Sequence, residues 1–562
     1  MGEPCEPHKH MDKQNSKKKN NYLLAILLSI VVLFIGIFIM SKKQDLDFDE
    51  VGTFGLANNT YQLNVEDYKT YTGNELLLNY AAVKEGKQFD ISNVFFNQKM
   101  DTHPPLYYLI LNFVCSFRKN SFSMWYGLII NLLLMIFLFW EMRYFFNVVI
   151  DDEVMSTTLS LIAFFTYGFI NELVFIRMYV MLSVVSMAFA ILIIEKIKSV
   201  GTNAKSVGAK HREPFVGASS ASPHIDINFL AKFFIICVAG ILTQYHFVIL
   251  AFYFSVIFAA VLIKNKDIKL LIATIISGVA SIVASIIIFP GIINHIFGDN
   301  SLHAINGAQV TSVLQRFYEM LLTIKRAFFG EALIIYLIIL IILTAIAVYM
   351  TKKVISKNTN NKWYLMILLC VIYYYVLISL TVKFTFARYL YNIYPFITVS
   401  IIAPIYLLLK SIKPNLKYLS VAMIIILAIG SRLKEEPFSL NLKTKQFQDF
   451  LNENKNIKIL ALYTTVDKKG RQNTIDTSLW KLQRPVYTFR NMGKITFVDM
   501  SKNRDILYFK DDHIANDENL FLLIYSGEDD NEIIGGIMNN NGYTSVNKII
   551  ENTYYHMYLL TR

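Results

Sequence analysis

The stretch DLDFDEVGTFGLANN, residues 45–59, places four acidic side chains directly after the first long apolar run of the chain. Asp49 and Glu50 form an adjacent acidic pair, and Gly52, Gly55 and two aromatic residues lie close by. A carboxylate in a cleft can act as a general base that accepts the proton of an attacking hydroxyl. The alternative is an acidic loop that is simply solvated. The positions of the other polar groups decide between the two.

The composition is that of a protein with repeated membrane spans. Of the 562 residues, 54% are hydrophobic and only 17% are charged, and the mean hydropathy is +0.41. Apolar runs of about 20 residues recur along the chain, which is the length of a transmembrane helix. The net charge of +12 comes from Lys and Arg in short loops between these runs, a pattern that indicates membrane orientation. We therefore exclude a nucleic-acid partner.

Eleven spans and a set of basic loops fix the predicted topology. The spans lie near residues 21–40, 124–142, 154–171, 178–195, 228–243, 247–263, 268–290, 331–351, 363–382, 389–409 and 415–431. The basic segments are residues 1–20, 196–212, 264–269, 351–362 and 410–417. With eleven spans all the basic segments fall on one side, which the positive-inside rule makes cytoplasmic.

The apolar run HPPLYYLILNFVCSF, residues 103–117, is short for a span and opens with two prolines that suit the first turn of a helix. Counting it as a crossing would move the later basic loops outside. We therefore predict an interfacial or re-entrant helix within a long first external loop, residues 41–122. The prediction is a multi-pass protein of the plasma membrane, whose N-terminal tail, residues 1–20, is cytoplasmic.

Residues 432–562 have a different composition and are predicted to lie outside the membrane. Their apolar runs have the length of strands: IKILALYT (457–464), PVYTF (485–489), NLFLLIYSG (519–527) and YYHMYLLT (554–561). Helix-like stretches lie between them, at 443–454 and 530–543. This alternation predicts a small extracytoplasmic α/β domain. The fold class is thus an α-helical polytopic membrane protein, with residues 21–431 as the transmembrane catalytic module.

Asp101 and His103, in QKMDTHPPLYY (98–108), stand just before the predicted interfacial helix. Helix capping is one interpretation, since Asp and Thr are common before a helix start. The functional interpretation places both residues at the same cleft as Asp49. His and carboxylate side chains together can also hold a divalent metal ion, although the spacing specifies none.

Arg177, in NELVFIRMY (171–179), lies at an external span boundary. Snorkelling to the lipid headgroups would explain a cation there. A bound phosphate is the more specific interpretation, because guanidinium binds phosphate oxygens bidentately.

The turn TVKFTFARYLYNIYP, residues 381–395, carries two more cations, Lys383 and Arg388, around an aromatic cluster. Two cations on a short external turn run against the positive-inside bias, and they favour a bound anion, with lipid headgroups as the alternative to a substrate phosphate. His246, in TQYHF (243–247), is a weaker candidate on the same side, where interfacial packing is the alternative.

Carboxylates, a histidine and several cations therefore converge on one predicted face. Cations for a phosphate leaving group and a carboxylate for an acceptor hydroxyl fit the displacement of a lipid-linked phosphate from a sugar. A transporter or flippase for a lipid-linked or anionic substrate is the alternative, but transporters place their substrates near the bilayer midplane between matched repeats, and the sequence has no such halves. A non-catalytic scaffold for the C-terminal domain is the third possibility.

The ordered set of these segments resembles the bacterial membrane glycosyltransferases of the GT-C fold, in the group related to protein O-mannosyltransferases and the aminoarabinose transferase of lipid A. The resemblance covers roughly residues 20–410. It implies a polyprenyl-phosphate sugar donor, an acceptor on the outer side that is a glycan, a lipid or a protein, and inversion at the anomeric carbon.

The resemblance also implies roles for individual residues. The essential acidic residue of the family falls on Asp49, with Glu50 beside it, and the arginine before Met and Tyr179 falls on Arg177. The late arginine–tyrosine pair falls on Arg388 and Tyr389. The chain departs from the family at one position. Relatives often carry an acidic residue two positions before this arginine, where the present chain has Phe175, and Glu172 stands five positions before it.

Overall fold

The computed structural model describes two compact units. The described residues are 7–210, 226–297, 312–338, 341, 361–382, 385–432, 442–465, 481–483, 485–507, 514, 517–525, 529–551 and 555–562. The helical unit comprises Met1–Ser41, Leu128–Val174 and Met178–Pro437. The mixed unit comprises Lys42–Gly127, Phe175–Arg177 and Phe438–Arg562. The predicted first loop therefore belongs to the same unit as the C-terminal segment. The sequence prediction assigned them to two domains, with a boundary at residue 432.

Seven helices of the described chain are long and apolar enough to cross a membrane. They are Tyr22–Met40, Trp125–Ile150, Tyr179–Val200, Phe247–Lys264, Ile268–Ile288, Lys362–Thr381 and Ala387–Ile412. The predicted span at 154–171 corresponds to a pair of helices, Glu153–Ala163 and Tyr167–Val174, bent by 67°. The predicted spans at 228–243 and 415–431 are shorter apolar helices, Ile227–Thr243 and Pro414–Gly430. Most of the predicted span at 331–351 lies outside the described residues.

These helices confirm an α-helical polytopic membrane protein. The full helices that contain two of these apolar spans are Pro7–Met40 and Tyr179–Lys210, and the span Ala387–Ile412 consists of a 3-10 turn at Ala387–Ile393 and a helix at Tyr394–Ile412. Further helices of the unit are Gly291–Phe297, Val313–Phe328 and Leu419–Gly430, with 3-10 turns at Gly330–Ala332 and Pro414–Tyr418. The side of the membrane on which each loop lies stays a prediction.

The segment that decided the predicted topology folds as a helix of 11 residues, Leu106–Ser116, in the mixed unit. It begins directly after the two prolines, as their fixed φ favours. At a rise of about 1.5 Å per residue it is about 16 Å long, roughly half of the hydrocarbon thickness of about 30 Å. Its length therefore agrees with a helix that does not cross.

A six-stranded sheet organises the mixed unit, in the order β1-β3-β2-β4-β6-β5. The strands are Thr70–Tyr71 (β1), Lys458–Tyr463 (β2), Ile495–Asp499 (β3), Asn519–Tyr525 (β4), Ser545–Glu551 (β5) and Tyr555–Thr561 (β6). β2 pairs in parallel with β3 and β4, and the other pairings are antiparallel. The helices of this unit are Phe48–Asn58, Gly73–Ala81, Ile91–Met100, Leu106–Ser116, Leu442–Glu453, Pro485–Thr488 and Asp530–Asn541, with a 3-10 turn at Arg504–Leu507.

The central strands are buried along most of their length. Every residue of β3 is buried, as is every residue of β4 after Asn519. Such continuous apolar runs are typical of strands that are covered on both faces. The sheet and its two long C-terminal helices confirm the predicted α/β domain, because both helices lie where the sequence predicted them.

The sequence prediction was wrong for two parts of the sheet. PVYTF was predicted as a strand, but Pro485–Thr488 forms a short helix. β1 was not predicted at all. It comes from the first loop, where Thr70 and Tyr71 pair with Thr496 and Ile495 of β3. The first loop thus supplies an edge strand to the sheet, so the two segments fold as one unit.

Candidate active site

The four acidic residues of the opening stretch have four different places in the structure. The helix Phe48–Asn58 begins after Asp47, whose Oδ1 accepts a hydrogen bond from the Asp49 backbone N–H (3.1 Å). Glu50 Oε2 reaches back to the N–H of Asp47 (2.6 Å). This reciprocal pair is a capping box, and carboxylates in a first helical turn are favoured by the helix dipole. Local hydrogen bonding therefore fixes the start of the helix, and with it the direction in which the Asp49 side chain projects.

Asp49 forms an ion pair with Arg177. The distance from its Oδ1 to Nη1 of the guanidinium is 2.7 Å, and the side chains of Asp49 and Arg177 are only 16% and 5% exposed. Arg177 lies in the short segment Phe175–Arg177 between two helices. Its backbone N–H donates to the carbonyl of Phe175 (2.8 Å), which keeps this segment tightly turned.

Glu50 holds that short segment in place. Its Oε1 accepts a hydrogen bond from the backbone N–H of Ile176 (2.7 Å). Lys43 Nζ lies 3.0 Å from both carboxylate oxygens. Glu50 is 1% exposed and is not among the residues that line the cavity described below. In this conformation the carboxylate of Glu50 is positioned to hold the backbone and not to contact a substrate.

The second guanidinium nitrogen of Arg177 faces the HPPLYY segment. Nη2 donates to the hydroxyl oxygen of Tyr108 (3.2 Å) and lies 3.3 Å from Nε2 of His103. His103 Nδ1 lies 2.7 Å from Oδ2 of Asp101. These contacts suit an imidazole whose Nδ1–H donates to Asp101 while Nε2 accepts from Arg177. Asp101, His103, Arg177 and Asp49 thus form one continuous chain of polar contacts.

Burial and neighbouring charge act in opposite directions on two of these groups. Burial disfavours the ionised form of Asp101, but the hydrogen bond from His103 and the positive charge of Arg177 outweigh it and hold the pKa of this carboxyl below its usual range. Burial raises the pKa of Tyr108 to about 12, although the positive charge of Arg177 acts to lower it. Tyr108 is therefore a neutral phenol at physiological pH.

These groups open onto a cavity of about 240 Å³. Asp49, Gly52 and Leu56 stand on one helix face, three and four residues apart, as the helical period requires. The lining residues are Phe48, Asp49, Gly52, Leu56, Tyr61, Gln62, Asp101, His103, Arg177 and Gln483. The cavity thus combines an ion pair, an Asp–His pair and neutral polar groups with the apolar side chains of Phe48 and Leu56.

Asp45 ties the opening stretch to the C-terminal segment. The hydroxyl of Thr488 donates to its two carboxylate oxygens at 3.0 and 3.3 Å. Asp45 is 8% exposed, so the contact is largely shielded from water. The short helix Pro485–Thr488 is thereby held close to the start of the helix that carries Asp49.

The other predicted site residues lie in the helical unit. Tyr179 is buried and packs edge-on against the ring of Tyr391 (5.7 Å). His246 packs edge-on against Tyr389 (5.4 Å). The guanidinium of Arg388 lies over the rings of Phe386 (4.1 Å) and Tyr389 (5.8 Å). Lys383 lies outside the described residues.

Within the part of the chain that the structure describes, no group of three or more His, Cys, Asp or Glu side chains is arranged to hold a metal ion. The Asp101–His103 pair supplies only two such ligands. The two contact each other directly, and His103 also contacts Arg177.

Three residues of the site were not predicted from the sequence. Tyr108 lies within the HPPLYY segment, but nothing in the sequence marked it as a partner of Arg177. Lys43 did carry a signal, since a lysine at the outer end of the first predicted span runs against the positive-inside bias. Gln483 carried none, because its place in the cavity depends on a contact with Tyr80, about 400 residues earlier.

No protein-family model matches the chain, and no curated protein matches it. Among solved structures, the chain is similar to ArnT from Cupriavidus metallidurans bound to undecaprenyl phosphate, with 11% sequence identity and a TM-score of 0.47. The alignment covers 96% of this chain and 97% of that one. The same protein in the apo state gives 11% identity and a TM-score of 0.47, over 97% of this chain and 98% of that one.

Proposed function

We propose that this chain is an integral membrane glycosyltransferase, which moves a sugar from a polyprenyl-phosphate donor to an acceptor on the outer face of the membrane. The observation that carries the proposal is the Asp49–Arg177 ion pair at the wall of a cavity of about 240 Å³. It pairs a candidate base with a candidate phosphate binder, and a lipid-linked substrate suits a chain with at least seven helices of spanning character.

In the proposed reaction, an acceptor hydroxyl attacks the anomeric carbon of the sugar. The carboxylate of Asp49 accepts the hydroxyl proton as the new C–O bond forms. The bond between the anomeric carbon and the phosphate oxygen breaks, and its electron pair leaves with polyprenyl phosphate. Attack opposite the leaving group inverts the configuration. The proton then passes from Asp49 to solvent.

Arg177 stabilises the charge that develops on the leaving phosphate. Its guanidinium can bind two phosphate oxygens at once. The same guanidinium pairs with Asp49. The donor phosphate competes for it, so donor binding frees the Asp49 carboxylate to act as a base. His103 contacts the other terminal nitrogen of the guanidinium, and Asp101 holds His103 in place.

Arg388, Lys383 and Tyr389 remain proposed phosphate contacts from the family resemblance. The acceptor class, whether a glycan, a lipid or a protein, follows from the same resemblance. An outer-face location for the reaction rests on the positive-inside pattern of the loops.

The test is mass analysis of envelope glycans and glycolipids from cells with and without this chain. A sugar that depends on the chain identifies the product. Asp49→Asn keeps the size of the side chain but removes the base, and should abolish the product while the protein stays inserted and folded. Glu66→Gln is the matched control, since Glu66 is 73% exposed on the same loop. Full product formation by Asp49→Asn would refute the mechanism.

A further inference from the structure

Two glycines give the helix Phe48–Asn58 a flat face. Gly52 and Gly55 are three residues apart and lie on the same side of the helix. A Cβ at Gly55 would lie 2.2 Å from Cζ of Tyr80, so only glycine leaves room for that ring. The tyrosine ring therefore packs directly on the helix backbone beside the cavity.

Tyr80 in turn fixes the orientation of the Gln483 amide. Tyr80 is 1% exposed, and burial raises the pKa of its hydroxyl far above the usual value, so the group keeps its proton. That hydroxyl donates to Oε1 of Gln483. Because the oxygen is the acceptor in this bond, the amide nitrogen must point the other way.

The amide nitrogen lies over Gly52. Nε2 is 3.4 Å from the point that a Cβ of Gly52 would occupy. Gly52 and Gln483 both line the cavity. An amide nitrogen has two N–H donors, so the C-terminal segment presents a neutral hydrogen-bond donor beside the wall that carries Asp49.

The spacing along the helix separates this donor from the phosphate end of the site. Gly52 is three residues beyond Asp49, which is about 4.5 Å along the helix axis. Arg177 contacts Asp49 at the start of the helix. Arg177, Gly52 and Gln483 line the same cavity, so a donor phosphate on Arg177 would leave the attached sugar within reach of Gln483.

We infer that Gln483 recognises the sugar of the donor lipid, by donating a hydrogen bond from Nε2 to a sugar hydroxyl. This inference rests on the proposed function for the identity of the ligand. It gives the C-terminal part of the chain a direct place in substrate recognition.

The test compares binding of bare polyprenyl phosphate with binding of polyprenyl phosphates that carry a hexose, an N-acetylhexosamine or a pentose. The purified full chain in lipid nanodiscs is used. The wild type should prefer at least one sugar-carrying lipid over the bare lipid. Gln483→Glu keeps an oxygen for Tyr80 but loses the N–H donors, and should lower this preference about tenfold, the value of one hydrogen bond.

Two further variants separate recognition from structure. Gln44→Glu makes the same substitution at a partly exposed position of the same unit, and should leave the preference unchanged. Tyr80→Phe removes the bond that orients the amide, and should give an intermediate loss. The preference is the ratio of the affinities for sugar-carrying and bare lipid. Because both lipids carry the phosphate, the effect of the added charge on phosphate binding cancels in this ratio.

The inference is overturned if the wild type prefers no sugar-carrying lipid, or if Gln483→Glu keeps the full preference. The second result would make Gln483 only a packing partner of Tyr80. Binding does not require turnover. A sugar preference without any transferred product would therefore refute the transferase and leave sugar recognition by Gln483 standing.

Discussion

Glu50 accepts a hydrogen bond from the backbone N–H of Ile176 at 2.7 Å, although 126 residues separate the two in the chain. Ile176 directly precedes Arg177, so this bond sets the position of the guanidinium beside the helix that carries Asp49. The two carboxylates of the acidic pair thus have different roles. One carboxylate faces the cavity, and its neighbour holds the segment that supplies the counter-charge.

The Lys43–Glu50 pair should be strongly coupled. Both side chains are 1% exposed, and removing one partner of a buried pair leaves an uncompensated charge. Lys43→Met should therefore cost about 3–5 kcal/mol of stability. The double variant Lys43→Met/Glu50→Gln should lose less than the sum of the single variants. Unfolding of the purified protein in detergent measures all three, and strictly additive losses would contradict the coupling.

Hydropathy predicted the seven long apolar helices because length and apolar composition are local properties of the sequence. The same local reasoning brought Asp49, Asp101, His103 and Arg177 together, since each stands at a predicted span or helix boundary. The structure does place these four in contact. Their chemical roles stay predictions.

The missed features depend on partners far away in the chain. Thr70 and Tyr71 are too short a run to be read as a strand, and they become one only by pairing with β3, more than 420 residues later. PVYTF has the composition of a strand. Its first four residues form a helix, which is held by a hydrogen bond from the hydroxyl of Thr488 to the carboxylate of Asp45. Such contacts leave no periodic signal in either segment.

Arg177→Lys should impair transfer although it keeps the charge. The guanidinium reaches Asp49 through Nη1 and reaches Tyr108 through Nη2, and an ammonium lacks this planar fork. We expect transfer to fall roughly 100-fold, as on loss of a charge-stabilising donor. Initial rates with a polyprenyl-phosphate sugar measure it. Arg118→Lys, at an exposed position of the same unit, should be silent, and equal rates for the two variants would remove Arg177 from the site.

Asp101 should make stability depend on pH in the acid range. Burial opposes its ionisation, but His103 and Arg177 hold its folded pKa below the reference of 3.8. A depressed pKa stabilises the fold above the unfolded pKa, and this stabilisation is lost as the pH falls through the folded value. The stability difference between the wild type and Asp101→Asn should therefore be constant near neutrality and shrink below about pH 4. Melting temperatures across this range test it, and a constant difference would contradict the assignment.

Gly55 and Gly52 provide a matched pair of substitutions on one helix face. Alanine at 55 would place Cβ 2.2 Å from Tyr80, whereas alanine at 52 would place it 3.4 Å from Gln483, an ordinary contact. Overpacking at Gly55→Ala should cost about 1–3 kcal/mol, while Gly52→Ala should gain up to about 1 kcal/mol of helix propensity. Unfolding measurements should therefore show opposite signs for the two variants. Because Tyr80 orients the Gln483 amide, Gly55→Ala should also weaken the preference for sugar-carrying lipid, and equal effects on stability would show that Tyr80 does not pack on this face.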